Sequence, residues 1–266
     1  MKRVNPKTRA AQLIVEQRLS LNPIDHLPEK LRPKNETEAY AVQVEVNHLL
    51  NEAGLGPTAG HKIGCTTPVM QAYLDIPNPC AGGVFASTVL HGSAAVPRSG
   101  FVKLGIECEI AVELSRNIFP SDGPFTRETV APAVHAVMGA IEIVDDRYRN
   151  YRELGVPTLI ADDFFDSGCV LGEPVTDWRR LDLPRLSGAT FVNGHEVGRG
   201  TGKLIMGHPL EALAWLASSR AARGLGLKRG EFILLGSVVE TKWLNARDVA
   251  RVEIDQLGTI TLKVDP

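Results

Sequence analysis

The chain of 266 residues is long enough for one large domain, or for a small N-terminal element attached to a large one. Its formal net charge of −2, with interspersed acidic and basic residues, argues against binding to nucleic acid or anionic membrane. No apolar run reaches bilayer length, and the start of the chain lacks the apolar core of a signal peptide. The four scattered cysteines indicate neither a disulfide framework nor a zinc knuckle, so a reducing cytoplasm is the expected location.

The first part of the chain has the pattern of two helices. Asn5-Pro6 predicts a helix start, and apolar residues then recur at helical spacing. After a polar segment with two prolines, residues 36–53 carry a second apolar stripe at helical spacing. We therefore divide the chain into a helical N-terminal part, residues 1–58, and a β-rich catalytic domain, residues 59–266.

The remainder is rich in short predicted strands separated by turns. Asn193-Gly194 predicts a tight hairpin, the apolar residues 232–236 predict a buried strand, and residues 251–264 predict a closing hairpin. Residues 127–138 are predicted to be mostly helical. Because strands crowd together with few helices between them, a doubly wound sheet is not expected.

Residues 101–114 alternate between apolar and polar side chains, which is typical of a half-buried strand. Glu107 and Glu109 therefore project from the same face, one pleat apart. Two carboxylates so placed repel each other unless water screens them or a cation lies between them. From this strand alone, a solvated polar face is the simpler interpretation, and a metal site is the alternative.

Glu142 interrupts the otherwise apolar residues 138–144. A buried ionised carboxylate costs several kcal/mol unless it is paired or bound to a metal. Its partner is therefore expected to be an arginine, Arg147 or Arg199, or a cation. Three oxygen ligands without a histidine suit Mg²⁺ or Mn²⁺ better than zinc or copper.

Lys62 lies between glycines in a short apolar strand. It is either a surface lysine whose stem packs on apolar neighbours, or a cation that faces an anionic substrate or donates a proton. Taken alone, the surface interpretation is the simpler one. The isolated glycines form neither a dinucleotide-binding motif nor a P-loop, and there is no GxSxG elbow, so nucleotide binding and serine hydrolysis have no support.

Six segments, in this order, resemble the fumarylacetoacetate hydrolase superfamily, and within it the 2-keto-4-pentenoate hydratase and 4-oxalocrotonate decarboxylase group. The resemblance extends from about residue 36 to the C-terminus. The segments are Gly60-His61-Lys62-Ile63-Gly64, Ile106-Glu107-Cys108-Glu109-Ile110, residues 140–147 (AIEIVDDR), Gly198-Arg199-Gly200, Met206-Gly207-His208-Pro209-Leu210 and Leu234-Leu235-Gly236-Ser237.

The resemblance implies an α+β fold, a mixed β-sandwich roll of the fumarylacetoacetate hydrolase type with an α-helical N-terminal part. It also implies a homo-oligomer, a divalent cation (Mg²⁺ or Mn²⁺) and Lys62 as a catalytic residue that contacts a small 2-oxo acid substrate. The implied metal ligands are Glu107, Glu109 and Glu142. The candidate substrate-binding residues are Ser237, Asp162 and Arg199.

Two departures from the group's pattern concern the substrate. Where hydratases of this group usually carry an acid in the loop after the lysine strand, this chain has Pro79-Cys80-Ala81. A cysteine replaces a proton-shuttling acid poorly unless its pKa is lowered. Residues 237–243 are also bulkier and more charged than the group's usual small-residue run.

The reaction expected from this resemblance is the metal-dependent addition of water to a 2-hydroxy-2,4-dienoate, which gives a 4-hydroxy-2-oxo acid. Decarboxylation of a 4-oxalocrotonate-like diacid is the first alternative, because it uses the same enolate. Hydrolytic cleavage of an acylpyruvate comes third. A non-catalytic subunit that supports an active partner is the alternative from another class of protein.

Overall fold

A computed structural model describes residues 5–266 of the chain. Within that range, no helix has both the length and the apolar character needed to cross a bilayer. The helices are α1 (Pro6–Ser20), α2 (Glu36–Leu50), α3 (Pro68–Leu74), α4 (Arg127–Val130), α5 (Tyr151–Leu154), α6 (Val156–Ala161) and α7 (Pro209–Ala221).

The strands form two sheets, one of seven strands and one of five, whose neighbour orders are β2-β1-β10-β5-β6-β7-β3 and β4-β12-β11-β8-β9. This arrangement confirms the predicted roll of mixed sheets. The strands are β1 (Thr58–Gly64), β2 (Cys80–Phe85), β3 (Val89–His91), β4 (Ser93–Pro97), β5 (Leu104–Leu114), β6 (Val134–Asp145), β7 (Asp166–Leu171), β8 (Ser187–Val192), β9 (His195–Thr201), β10 (Phe232–Trp243), β11 (Val249–Ile254) and β12 (Gly258–Asp265).

The two N-terminal helices begin where the sequence predicts. The Asn5 side chain accepts a hydrogen bond from the backbone N–H of Lys7 at 3.0 Å, and Asn35 caps α2 in the same manner. Both helices pack into one apolar cluster that also contains Phe85 and Ala161 from the β-rich part. The cluster therefore packs the N-terminal helices onto the β-rich part. The division of the chain at residue 58 stays a prediction.

One prediction is wrong: residues 127–138 are not mostly helical. The helix α4 ends at Val130, and β6 begins at Val134. Residues 134–138 instead pair with β5, where they extend a long antiparallel ladder. Long-range pairing and burial thus prevail over the local helical spacing, which is a weak determinant of structure.

The seven-stranded sheet curls strongly. In a flat sheet, three spacings of roughly 4.8 Å would separate β1 from β6. Lys62 on β1 nevertheless reaches Glu142 on β6 at 2.8 Å, and β2 contacts β7 although the two strands are not hydrogen-bonded neighbours. The curl brings β1 over the middle of β5 and β6, and this is where the candidate site lies.

The five-stranded sheet covers the other side of β6. A Cβ atom added to Gly139 would lie 2.9 Å from Ile260 Cδ1, so glycine here lets β12 approach closely. Asn193 and Gly194 form the turn between β8 and β9, and β11 pairs with β12, which confirms both predicted hairpins.

Candidate metal centre

Three glutamates converge on the concave side of the curled sheet. Glu107 and Glu142 are Cα partners across β5 and β6. Glu109 lies one pleat further along β5 on the same face. One carboxylate oxygen from each lies within 4.8 Å of the others. Glu109 and Glu142 are 0% and 1% exposed, so water does not screen them, and the solvated interpretation of these side chains is excluded.

The backbone also contributes to this cluster. Gly236 donates its N–H to Glu109 Oε2 at 2.8 Å. Its φ of +126° lies in a region that residues with a side chain rarely adopt, and an added Cβ atom would collide with the Thr66 side chain. Gly236, the glycine in the Leu-Leu-Gly-Ser segment, therefore allows β10 to donate a backbone N–H to one of the three clustered carboxylates.

Lys62 completes the cluster and is a buried residue, not a surface one. Its Nζ lies 2.8 Å from Glu142 Oε1 and 5.2 Å from the centre of the Phe164 ring. The flanking glycines of its strand are needed for packing. Added Cβ atoms at Gly60 and Gly64 would lie 2.7 Å and 2.8 Å from the rings of Phe232 and Phe164.

The pKa values reflect the crowding of like charges. Burial, with the neighbouring carboxylates Glu142 and Glu107, raises the pKa of Glu109 well above its usual range. Burial also raises the pKa of Glu142 to about 7, although Lys62 opposes the shift. For Lys62, burial disfavours the charged form, but the three carboxylates outweigh it and raise the pKa.

The residues present suit a divalent cation. Three carboxylates and one ammonium have a formal charge of −2, and Glu109 Oε1 is buried without a hydrogen-bond donor. An unpaired buried acceptor of this kind is costly, and a cation would satisfy it. An all-oxygen ligand set without histidine or cysteine is the kind that magnesium, manganese and calcium prefer.

A strained turn holds Phe164 against Lys62. Asp163, Phe164 and Phe165 have φ values of +53°, +50° and +68°, three consecutive non-glycine residues in the left-handed region. Such strain persists only where the surroundings enforce it. Asp163 accepts a hydrogen bond from the Gly83 N–H at 2.9 Å and pairs with Arg18 of α1 at 3.3 Å. The N-terminal helix thus supports the wall of the site.

A cavity of about 380 Å³ opens onto Lys62 and Glu107, a size typical of small-molecule sites. Ser237 lines this cavity, and its hydroxyl contacts the carbonyl oxygens of Cys108, at 3.3 Å, and Val239. Its predicted role in substrate binding stays a prediction, and its position is compatible with that role.

The sequence reasoning did not single out Thr241, Phe164 or Trp243. Thr241 donates a hydrogen bond to Glu107 Oε1, and all three residues line the cavity. The sequence feature that could have indicated Thr241 and Trp243 was the unusually bulky segment 237–243, which contains both. No local signal indicated Phe164, because its role depends on the fold.

The structure places the other two candidate substrate-binding residues elsewhere. Asp162 is fully buried and accepts hydrogen bonds from Arg147 Nε at 2.8 Å and the Tyr148 hydroxyl at 2.7 Å. Arg199 lies on β9, where it pairs with Glu196 at 2.7 Å. Neither lines this cavity, so the cavity gives no support to their predicted contact with substrate. Arg147 and Arg199 were expected as possible ion-pair partners of Glu142. They pair instead with Asp162 and Glu196.

Cys80 also lies outside the cavity wall. It begins β2 opposite Gly64 and is 1% exposed. A hydrogen bond with Cys65 and burial raise the pKa of its thiol, so it remains protonated. Cys80 therefore does not take over the proton-transfer role of the loop acid that it replaces.

The fold and the site are those of a divalent-metal enzyme built on a rolled β-sandwich, with a carboxylate triad and a lysine next to a cavity. The family described as fumarylacetoacetate (FAA) hydrolase C-terminal matches residues 73–265. The chain belongs to this family, as its six segments predicted.

The chain is also similar to two named hydratases and to one solved decarboxylase structure. The chain is 31% identical over 224 residues to a 2-keto-4-pentenoate hydratase of Paraburkholderia phymatum, covering 84% of each chain. It is 32% identical over 229 residues to a 2-hydroxyhexa-2,4-dienoate hydratase of Comamonas testosteroni, covering 85% of each. Among solved structures, 4-oxalocrotonate decarboxylase of Pseudomonas putida G7, complexed with magnesium and adipate, superposes with a TM-score of 0.90 at 25% identity, covering 97% of each chain.

Proposed function

We propose that this protein is a Mg²⁺-dependent hydratase that adds water to a 2-hydroxy-2,4-dienoate and forms a 4-hydroxy-2-oxo acid. The observation that carries the proposal is the triad Glu107, Glu109 and Glu142 with Lys62, next to a cavity of small-molecule size that Glu107 and Lys62 line. The hydratase names of the relatives at 31% and 32% identity support the same reaction.

The three glutamates would hold the cation. When bound, it supplies Lewis-acid polarisation of the substrate's 2-oxo group and carboxylate. The carboxylates fix its position, because each is held by β5 or β6 and two of them are fully buried. The Gly236 N–H and the Thr241 hydroxyl hold Glu109 and Glu107 in place.

Lys62 is the residue of this chain that is placed to act on the substrate. Its Nζ faces the same cavity as Glu107 and lies close to Glu142, so it neutralises negative charge beside the substrate's 2-oxo acid group. It also carries a proton that it can donate as the diene is converted to the 2-oxo form. In this conversion the 2-hydroxyl group loses its proton and C5 gains one. Water then adds its hydroxyl to C4 and its proton to C3 of the substrate.

The direct test is turnover of 2-hydroxypenta-2,4-dienoate by the purified chain with Mg²⁺. We expect loss of the diene's ultraviolet absorbance and formation of 4-hydroxy-2-oxopentanoate, identified by mass spectrometry. Absence of this product in a Mg²⁺-loaded, folded preparation would overturn the proposal.

Decarboxylation of a 4-oxalocrotonate-like diacid is the second candidate. The superposition with 4-oxalocrotonate decarboxylase favours it, because the backbone match covers nearly the whole chain. Incubation with 2-oxo-3-hexenedioate separates the two reactions. Carbon dioxide release faster than dienoate hydration would favour the decarboxylase, and its absence would favour the hydratase.

We further propose that the protein works as a cytoplasmic homo-oligomer with Mg²⁺ or Mn²⁺ as its metal. The four free cysteines, all buried, support a reducing compartment. Light scattering on the purified protein measures the subunit number, and calorimetric titration compares the two metals. A chain that binds Mg²⁺ and oxalate but turns over no dienoate would instead act as the non-catalytic subunit of a larger complex.

A further inference from the structure

The cavity wall has two chemically different parts. One part belongs to the candidate metal site, which we call the metal cluster (Glu107, Glu109, Glu142 and Lys62); of its residues, Lys62 and Glu107 line the cavity. Outside this cluster the wall consists mainly of apolar and aromatic side chains. We call six of them the tail wall: Val69, Met70, Leu74, Tyr151, Phe165 and Trp243.

The tail wall is unusually exposed for apolar side chains. Val69, Met70 and Trp243 are 76%, 42% and 43% exposed. Apolar side chains gathered at the wall of a cavity and left open to water mark a surface that an apolar group covers on binding. Covering them with the hydrocarbon end of a substrate removes this area from water and so favours binding.

Within residues 5–266, the cavity wall contains no lysine, arginine or histidine besides Lys62, and its side-chain hydroxyl groups are those of Thr66, Thr67, Tyr151, Ser237 and Thr241. The remaining charged residue of the cavity wall is Glu240, which has the wrong sign for a carboxylate and pairs with Lys242 at 2.6 Å. A substrate with a second carboxylate at its far end would therefore place that group among apolar side chains and near an acid.

Two nearby cations are already engaged. Lys103 lies 4.0 Å from the centre of the Trp243 ring and pairs with Asp146 at 3.2 Å. Arg152 stacks on the Tyr73 ring at 4.8 Å, and neither cation lines the cavity. A distal carboxylate would have to break these contacts to gain a cationic partner, and packing against the tail wall would remove part of its hydration without compensation.

We propose that the tail wall makes this enzyme selective for 2-hydroxydienoates with an uncharged alkyl or aryl tail, and that it rejects their dicarboxylic counterparts. This inference rests on the proposed function, because it assumes that the 2-oxo acid end of the substrate lies at the metal cluster. It also separates this chain from the decarboxylase of similar fold, whose structure contains the six-carbon diacid adipate.

Two stable 2-oxo acids test the inference without any turnover. 2-Oxohexanoate and 2-oxoadipate share the same head and chain length and differ only in a terminal methyl or carboxylate group. We expect calorimetry on the Mg²⁺-loaded protein to show 2-oxohexanoate binding at least about 100-fold more tightly, since a buried carboxylate without a partner is strongly disfavoured. Equal affinities, or tighter binding of 2-oxoadipate, would overturn the inference and leave the proposed function standing.

A variant supplies the missing cation. Leu74→Arg, at the end of α3, should improve 2-oxoadipate binding by at least about 10-fold and weaken that of 2-oxohexanoate, because a charged partner then faces the tail. Leu225→Arg, on the surface outside the cavity, is the matched control and should change neither affinity. If neither compound binds to the Mg²⁺-loaded wild-type protein, the proposed function and the inference both fail.

Discussion

Glu107 and Glu142 are cross-strand partners, with their Cα atoms in register between β5 and β6. Like charges directly opposite each other destabilise a sheet, and here Glu109 adds a third carboxylate nearby. Lys62 offsets one of these charges. The pairing is therefore unfavourable on its own, and a divalent cation held by the three carboxylates would make it favourable.

Replacing a metal ligand should abolish metal-dependent turnover and leave the fold intact. Glu107→Gln keeps the volume of the side chain and removes one ligand charge. Since changes to residues that merely support a ligand lower activity by about 10- to 100-fold, we expect a fall in kcat of at least about 100-fold. Steady-state kinetics with Mg²⁺ measures it, and circular dichroism checks the fold.

Glu113 provides the matched control for this substitution. It lies on β5 with Glu107 and Glu109 but outside the metal cluster, and it is only partly buried. Glu113→Gln should keep nearly the wild-type rate. Equal loss of activity in both variants, or full activity in Glu107→Gln, would argue against the triad as the metal site.

Replacing Lys62 should affect both turnover and the response to Mg²⁺. In Lys62→Met the three carboxylates lose their compensating cation, so the metal-free protein should melt at a lower temperature. Addition of Mg²⁺ should then raise the Tm by more than it does in the wild type. Because proton transfer by a positioned group contributes about 100-fold or more, we expect kcat to fall by at least that factor.

Lys263→Met is the control for this experiment, since Lys263 is exposed on β12, in the sheet that does not carry the three glutamates. It should leave both the Mg²⁺ response and kcat unchanged. A wild-type rate in Lys62→Met would remove Lys62 from the mechanism.

The buried ion pair between Arg147 and Asp162 should be important for stability. Arg147 Nε lies 2.8 Å from Asp162 Oδ2, and the two side chains are 3% and 0% exposed. Arg147→Leu leaves the buried Asp162 carboxylate with the Tyr148 hydroxyl and with Arg18, at 3.5 Å, as its remaining side-chain partners, and we expect the loss to cost about 3 kcal/mol of unfolding free energy. Guanidinium denaturation measures the loss.

The exposed pair between Arg185 and Asp182 is the corresponding surface control. Arg185→Ala should cost less than about 1 kcal/mol, because solvent screens this pair. If the two substitutions proved equally mild, the network around Asp162 would not have the structural importance assigned to it.

The stability of the 163–165 turn should depend on pH. Burial raises the pKa of Asp163 to about 7, although the Arg18 guanidinium opposes the shift. Because this folded-state pKa lies above the ordinary value of about 3.9, the native state binds the proton more tightly. The group's contribution to stability is therefore fully present below about pH 4 and is lost as the pH rises through about 7.

Asp163→Asn removes this titration. Its stability relative to the wild type should therefore increase between about pH 5 and about pH 8, as measured by urea unfolding at both values. A difference between variant and wild type that does not change with pH would contradict the assignment.

The site was predictable where its residues stand out from their local pattern. Glu142 breaks an apolar run, and Glu107 and Glu109 alternate with apolar residues on one strand. The family resemblance then joined these separate signals with Lys62. The alternation of side chains along a strand and the charge of each residue are local properties, so a single sequence reveals them.

The remainder depended on long-range packing. Residues 134–138 have helical spacing, yet they pair with β5, and only the sheet provides that partner. Asp162 is predicted to bind substrate, which stays a prediction, and its hydrogen bonds with Arg147 and Tyr148 come from the fold and not from the local sequence. Phe164 reaches Lys62 because its turn is strained and held from α1, a contact for which the local sequence has no pattern.

The central claim is that one divalent cation, held by the three glutamates, is required for hydration of a dienoate. Its most direct test is to strip the protein with EDTA and restore Mg²⁺ stepwise, while calorimetry follows binding and the loss of diene absorbance follows turnover. We predict no turnover after stripping, one Mg²⁺ bound per chain, and a rate that rises in parallel with occupancy. Full hydratase activity in the EDTA-treated protein would contradict the claim.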